Sequence, residues 1–195
     1  MRRPLFVALL LVAPGALAAQ AVIPPAAQQI AVAVLPLPKE FRADATVLGY
    51  GPDGKLVTLR PGKGAMICLA DDPAAEANFH VACYHKSMEP FMARGRALRA
   101  SGVKGEAVDT ARFKEVKAGK IVMPKQAALW SLTGPASVVN LEAGTVSDSA
   151  RALYVVYMPG ATAASSGLPV TPGKGIPWLM YPGTPKSHIM FIPSM

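Results

Sequence analysis

The chain contains three histidines, His80, His85 and His188, and their spacing decides what chemistry they can share. Three neutral imidazoles suffice for a Zn or Cu site. The local spacing works against the simplest version, because His80 and His85 have opposite parity on a strand and point to opposite faces. On a helix the same separation leaves them about 140° apart. His85 and His188 form the better pair, since each stands at the end of an apolar, strand-like run, and Glu89 follows His85 closely enough to join them. Met88 and Met190 bring a thioether near each of these histidines, a ligand mix that selects Cu(I). Both methionines also fit buried apolar positions, the ordinary place of methionine in a core. One functional reading is therefore a Zn- or Cu-dependent, or hydrolytic, enzyme centred on His85 and His188 with Glu89.

A second constellation suits anions. His85-Lys86-Ser87 precedes a helix start, where free N–H groups and the helix dipole favour negative charge. Lys186-Ser187-His188 repeats those residue types near the C-terminal end. Were the two segments neighbours, they would hold a carboxylate, sulfate or phosphate with no cofactor. Known catalytic spacings are missing. Ser165-Ser166-Gly167 lacks the first glycine of a nucleophile elbow, and Gly173-Lys174-Gly175 lacks the spacing and the Ser/Thr of a P-loop. No C-x-x-C or H-E-x-x-H occurs.

Charge points the same way as the second constellation. Setting aside Arg2 and Arg3, 18 basic side chains face 12 acidic ones. Residues 86–125 hold ten of the basic and four of the acidic ones, so the whole excess lies in this segment. Arg94, Arg96 and Arg99 form its basic helical face. The partners this implies are anionic envelope components or a small anionic ligand. Nucleic acid is disfavoured by the compartment read from the first residues.

Residues 1–18 read as a signal peptide. Arg2 and Arg3 form the charged start, Leu5 to Val12 the apolar run, Pro14-Gly15 the break, and Ala16-Leu17-Ala18 the cleavage residues, with Ala19-Gln20-Ala21 as a second site. The run is too short to span a bilayer. No cysteine follows it, so no lipid anchor is expected. Arg2-Arg3 also fits the core of a twin-arginine signal, but the minimal charged start and strongly apolar run favour the general secretory route. The mature protein is thus expected to be periplasmic or secreted. Cys68 and Cys83 would there form a disulfide.

The elements that must position these residues follow from periodicity. Residues 19–45 form an Ala/Pro-rich, extended lead-in in which Ile30–Val34 resembles an edge strand. Residues 46–195 form one α+β domain. Strand patterns at Thr46–Tyr50, Lys55–Arg60, Ala65–Ala70 and Phe79–His85 alternate with short turns, which predicts an antiparallel meander. A symmetric hairpin about residues 71–78 sets Cys68 opposite Cys83, Met66 opposite His85, and Asp71 near His80.

Two helices follow as an excursion in the middle. Ser87 is a plausible N-cap and Gly102 a C′ residue for the first. Met88, Phe91, Met92, Gly95 and Leu98 lie on one arc, and Ala93, Ala97 and Ala100 offer a small-residue face for close approach. Asp109 caps the second helix, which carries Phe113 and Val116 and ends at Gly119. Strand pattern returns at Ala127–Leu132 and Ala152–Met158, the latter apolar on both sides like a central strand. After a loop of small residues over 159–174, Trp178–Tyr181 and His188–Ile192 close the sheet. The leading functional reading is a non-enzymatic exported binding protein with a basic helical face.

Overall fold

The computed structural model describes residues 22–75, 77–173 and 175–193. The signal peptide expected at residues 1–18 lies outside the described residues. Eight strands form one sheet: β1 Thr46–Tyr50, β2 Leu56–Arg60, β3 Met66–Leu69, β4 Asn78–His85, β5 Ala127–Pro135, β8 Arg151–Tyr157, β9 Trp178–Met180 and β10 His188–Phe191. A small hairpin, β6 Val139–Asn140 and β7 Thr145–Val146, lies apart from it. The strand order is β2-β1-β3-β4-β5-β8-β10-β9. Every pairing is antiparallel except β1 with β3, which is parallel. This is the expected α+β class, with strands at both ends of the chain and a helix pair, α3 Glu89–Ala100 and α4 Glu106–Lys117, in the middle.

The start of the sheet departs from a plain meander. β2 folds back on β1, but β3 then docks on the other side of β1 and runs parallel to it. The sense of this arrangement is in the burial. β2 is the edge strand and is largely exposed, whereas β1 and β3 alternate buried and half-buried residues. Placing β2, none of whose residues is buried, outermost keeps Val47 and Cys68, both fully buried, side by side in the interior.

The lead-in is not extended. Ala26–Ala33 winds into helix α1, and Lys39–Arg42 forms one turn, α2. Ile30–Val34 is therefore helix and its exit, not an edge strand. Pro25 sits just before α1, where its missing N–H costs nothing. Val32, Ala33, Val34 and Leu37 then bury against the sheet beside Val47, Cys68, Phe79 and Cys83. Gln29 fixes the helix to the sheet, its side chain accepting from Tyr50 N at 2.8 Å and donating to Tyr50 O at 2.9 Å. Tertiary burial overrides the extended bias that the prolines impose on the local chain.

The hairpin β3–β4 has the expected register, with Met66 opposite His85 and Cys68 opposite Cys83. The two cysteines form a disulfide, both fully buried. Asp71 reaches His80, accepting from its backbone N at 2.8 Å.

In the helix pair, Met88, Phe91, Gly95 and Leu98 are buried as their shared arc requires. The close approach, however, is at Gly95. Ala97 and Ala100 of the expected small-residue face are exposed. Ser87 does not cap α3, because a 3₁₀ turn, Lys86–Met88, precedes the helix and His85 caps that turn. Asp109 does not cap α4 either. The helix starts earlier, at Glu106, leaving Asp109 on its first turn with the carboxylate free to reach other elements. The loop 159–174 contains a short helix, α5 Ala163–Ser166, held by a reciprocal Thr162–Ser165 capping box.

The helix pair covers one face of the sheet, over Tyr84, Ala127, Leu129, Val155 and Tyr157. α1 covers the opposite face at the β1–β4 end. Among the described residues no helix is long and apolar enough to cross a membrane.

Candidate functional site

The histidine pair is not assembled. His85 shares a side of the sheet with Cys83, whereas His188 lies opposite Tyr157 on the side of the helix pair. They stand at the same end of the sheet, with β5 and β8 between their strands, a lateral gap of about 14 Å at the usual strand spacing. The segments 85–87 and 186–188 are therefore not neighbours. His85 and Ser87 satisfy each other, with Nδ1 and Oγ 2.8 Å apart and Ser87 N donating to the same Nδ1 at 3.3 Å. Lys86 is exposed. Ser187 is fully buried, its Oγ donating to Tyr181 O at 2.7 Å, which makes it a turn-former. His188 is buried between the rings of Tyr157 and Tyr181, with Nδ1 donating to Lys186 O at 2.7 Å. Burial holds its pKa below the usual value for histidine. Among the described residues no three His, Cys, Asp or Glu side chains come together in the manner of a metal site.

The three arginines of the basic face have different fates. Arg94 is neutralised across the helix pair by Glu115, with its Nε 2.9 Å from both carboxylate oxygens and Nη2 at 2.7 Å. Arg96 pairs with Glu89 at 2.6 Å and donates to the Tyr84 hydroxyl at 2.8 Å. That hydroxyl in turn donates to the other oxygen of Glu89. Glu89 is thus engaged in this trio and is not directed at a histidine. Arg99 has no carboxylate within ion-pair distance among the described residues.

Arg96 and Arg99 belong to a different assembly. A cavity of about 220 Å³ opens between α3, α4 and the sheet. Leu69, Ala82, Met92 and Leu129 supply apolar wall, Tyr84 and Tyr157 add aromatic wall, and Arg96, Arg99, Arg112 and Lys186 line it with cations. Arg112 comes from α4 and is only 4% exposed. Its guanidinium lies 3.9 Å over the Phe91 ring, and one Nη donates to Asp109. Its Nε is buried without any hydrogen-bond partner. Lys186 also reaches Asp109, at 2.9 Å, and lies 4.3 Å over the Tyr181 ring. Burial raises the Asp109 pKa, but hydrogen bonds from Lys186 and Arg112 outweigh it and hold the carboxyl below its usual range. Burial pushes the Tyr157 hydroxyl up to about 12, so it stays a neutral donor.

Gly95 explains how two guanidiniums come so close. A Cβ at Gly95 would stand 2.9 Å from Arg112 Nη1 and 3.3 Å from Arg99 Nη1. Both nitrogens therefore crowd one point beside the helix backbone, within about 6 Å of each other. Glycine inside a helix costs about 0.5–1 kcal/mol relative to alanine, and here it makes room for a like-charged pair.

Arg112, Asp109, Tyr84 and Tyr157 were not legible as site residues from composition. One signal did exist for Arg112. It sits four residues after Val108 and four before Val116, so its charge falls on the buried stripe of α4. No protein-family model, curated protein or solved structure matches this chain.

Proposed function

We propose that this chain is an exported binding protein whose ligand is a small anion, held in the cavity between α3, α4 and the sheet. The observation that carries the reading is the cavity itself, lined by the buried Arg112 together with Arg96, Arg99 and Lys186. An anion in the cavity offsets the positive charge that these four side chains bring together. It also relieves the repulsion between Arg99 and Arg112. The surrounding charge leaves room for it: four cations face two carboxylates, Glu89 and Asp109. Export is supported by the pattern of residues 1–18 and by the disulfide, which belongs to an oxidising compartment. The enzyme reading centred on His85 and His188 has no comparable support.

The test is thermal stabilisation. A ligand that binds only the native state raises the unfolding midpoint, by an amount that grows with the logarithm of its concentration over Kd. Small organic anions are expected to raise it, their uncharged analogues to leave it unchanged, and added salt to weaken the effect through screening. Arg99→Ala, at an exposed position, should abolish the shift without lowering the midpoint of the ligand-free protein. An undiminished shift in that variant would overturn the assignment.

A further inference from the structure

The same cavity narrows the class of anion, an inference that rests on the binding reading above. Four cations against two carboxylates leave an excess of two positive charges around one small space. A monoanion neutralises half of that excess, and a dianion neutralises all of it. The donors also come from three directions: Arg96 and Arg99 from α3, Arg112 from α4, and Lys186 from the turn before β10. A planar carboxylate presents two oxygens in one plane, which suits a single arginine fork. A tetrahedral oxyanion with three free oxygens meets donors on three sides. The cavity volume of about 220 Å³ equals roughly seven waters' share of liquid, enough for such a group and a compact body. Leu69, Ala82, Met92 and Leu129 offer that body an apolar wall.

We infer that the cavity takes a phosphomonoester in its dianionic form, with the phosphate between Arg99 and Arg112 and the organic part against the apolar wall. The group is the same whether carried on a small soluble molecule or on an envelope lipid, and the two sources separate by experiment.

Isothermal titration of the full mature chain at pH 7.5 uses three ligands of similar size: phenyl phosphate, phenyl sulfate and benzoate. Phenyl sulfate keeps the tetrahedral shape with a single charge, and benzoate is planar. Phenyl phosphate is expected to bind at least tenfold more tightly than either, and both Arg99→Ala and Arg112→Met to abolish the difference. Circular dichroism and thermal melts establish that each variant is folded. Equal affinity for all three ligands overturns the phosphomonoester assignment while leaving the anion cavity in place. Binding of none of them overturns both. Co-sedimentation with vesicles then compares phosphatidic acid, a lipid phosphomonoester, with phosphatidylglycerol, a diester of single charge. Selective retention on phosphatidic acid that is lost in Arg99→Ala identifies a lipid source; binding of phenyl phosphate without vesicle retention identifies a soluble one.

Discussion

Arg112→Met separates a ligand site from a structural ion pair, because the two roles predict different stabilities for the ligand-free protein. The bond from Arg112 to Asp109 is charge-assisted and contributes about 1.5–3 kcal/mol, and a longer one from Nη1 to Phe91 O at 3.3 Å adds about 1 kcal/mol. The guanidinium 3.9 Å over Phe91 adds about 1–2 kcal/mol. Against these stands the unpartnered Nε, which costs about 1–3 kcal/mol. Repulsion from Arg99 at about 6 Å amounts to roughly 3 kcal/mol at an effective dielectric of 20. Solvent around the exposed Arg99 reduces this to about 1 kcal/mol. The opposing effects cancel to within about 2 kcal/mol. Methionine keeps an unbranched apolar stem against Phe91, and Asp109 retains Lys186 as its partner. The variant is therefore expected to unfold within about 2 kcal/mol of the wild type, a midpoint change of about 4–8 °C at most. The assay is urea unfolding of the ligand-free protein followed by Trp130 and Trp178 fluorescence. Removing one partner of a structural buried pair costs about 3–5 kcal/mol. A loss of that size would refute the reasoning, since Arg112 would then be holding the helix pair and not awaiting a ligand.

Three further expectations concern the same molecule. Gly95→Ala is expected to keep or raise stability, because alanine is favoured by about 1 kcal/mol in a helix interior. Its Cβ falls 2.9 Å from the movable end of Arg112, so affinity for an anion should drop, and unchanged affinity in the titration above would remove Gly95 from the site. The double variant Cys68→Ala/Cys83→Ala should lose about 3 kcal/mol, the loop-closure contribution of a bridge spanning fifteen residues; urea unfolding that shows less than 1 kcal/mol would contradict it. Stability should also fall on mild acidification. Burial lowers the pKa of His188 below the unfolded value of 6.5, so the unfolded chain takes up a proton first and gains stability relative to the native state. The contribution is complete above pH 6.5 and is lost as pH falls toward the lower native value. Urea unfolding at pH 7.5, 6.5 and 5.5 measures this slope, and a rise in stability over that range would exclude the mechanism.

What could be read from the sequence was mostly local. Period-two runs located the strands, and the cysteine spacing set the register of β3 on β4 to the residue. The apolar arc of α3 was equally plain, since Phe91, Gly95 and Leu98 repeat at helical spacing. The parallel docking of β3 on β1 left no local trace, because it depends on which strand can afford to be the exposed edge. α1 was hidden for a different reason: prolines flank it, and only contact with Val47, Cys68 and Phe79 makes its burial worthwhile. The cavity was legible in fragments. Arg96, Arg99 and Lys186 stood out by charge, but nothing in the spacing joins residue 186 to residue 109, and that bond turns the end of the chain toward the helix pair.

The position of the cavity is supported by where the chain breaks its own local rules. Gly95 sits inside a helix, where glycine is unfavourable. Arg112 puts a charge on a buried stripe and leaves its Nε unpartnered. Tyr181 is the single non-glycine residue with positive φ, at 50°, among the described residues, and its ring lies under Lys186. Any one of these exceptions is tolerable in a folded domain. Each is also repairable by a single substitution, so a purely structural account predicts that they would scatter or disappear. They instead gather at one cavity: Arg112 lines it, Gly95 stands against Arg112 and Arg99, and Tyr181 lies under Lys186, which also lines it. Local conflict concentrated at one place, with consistent patterning elsewhere, is what a fold shows where stability has been given up for binding.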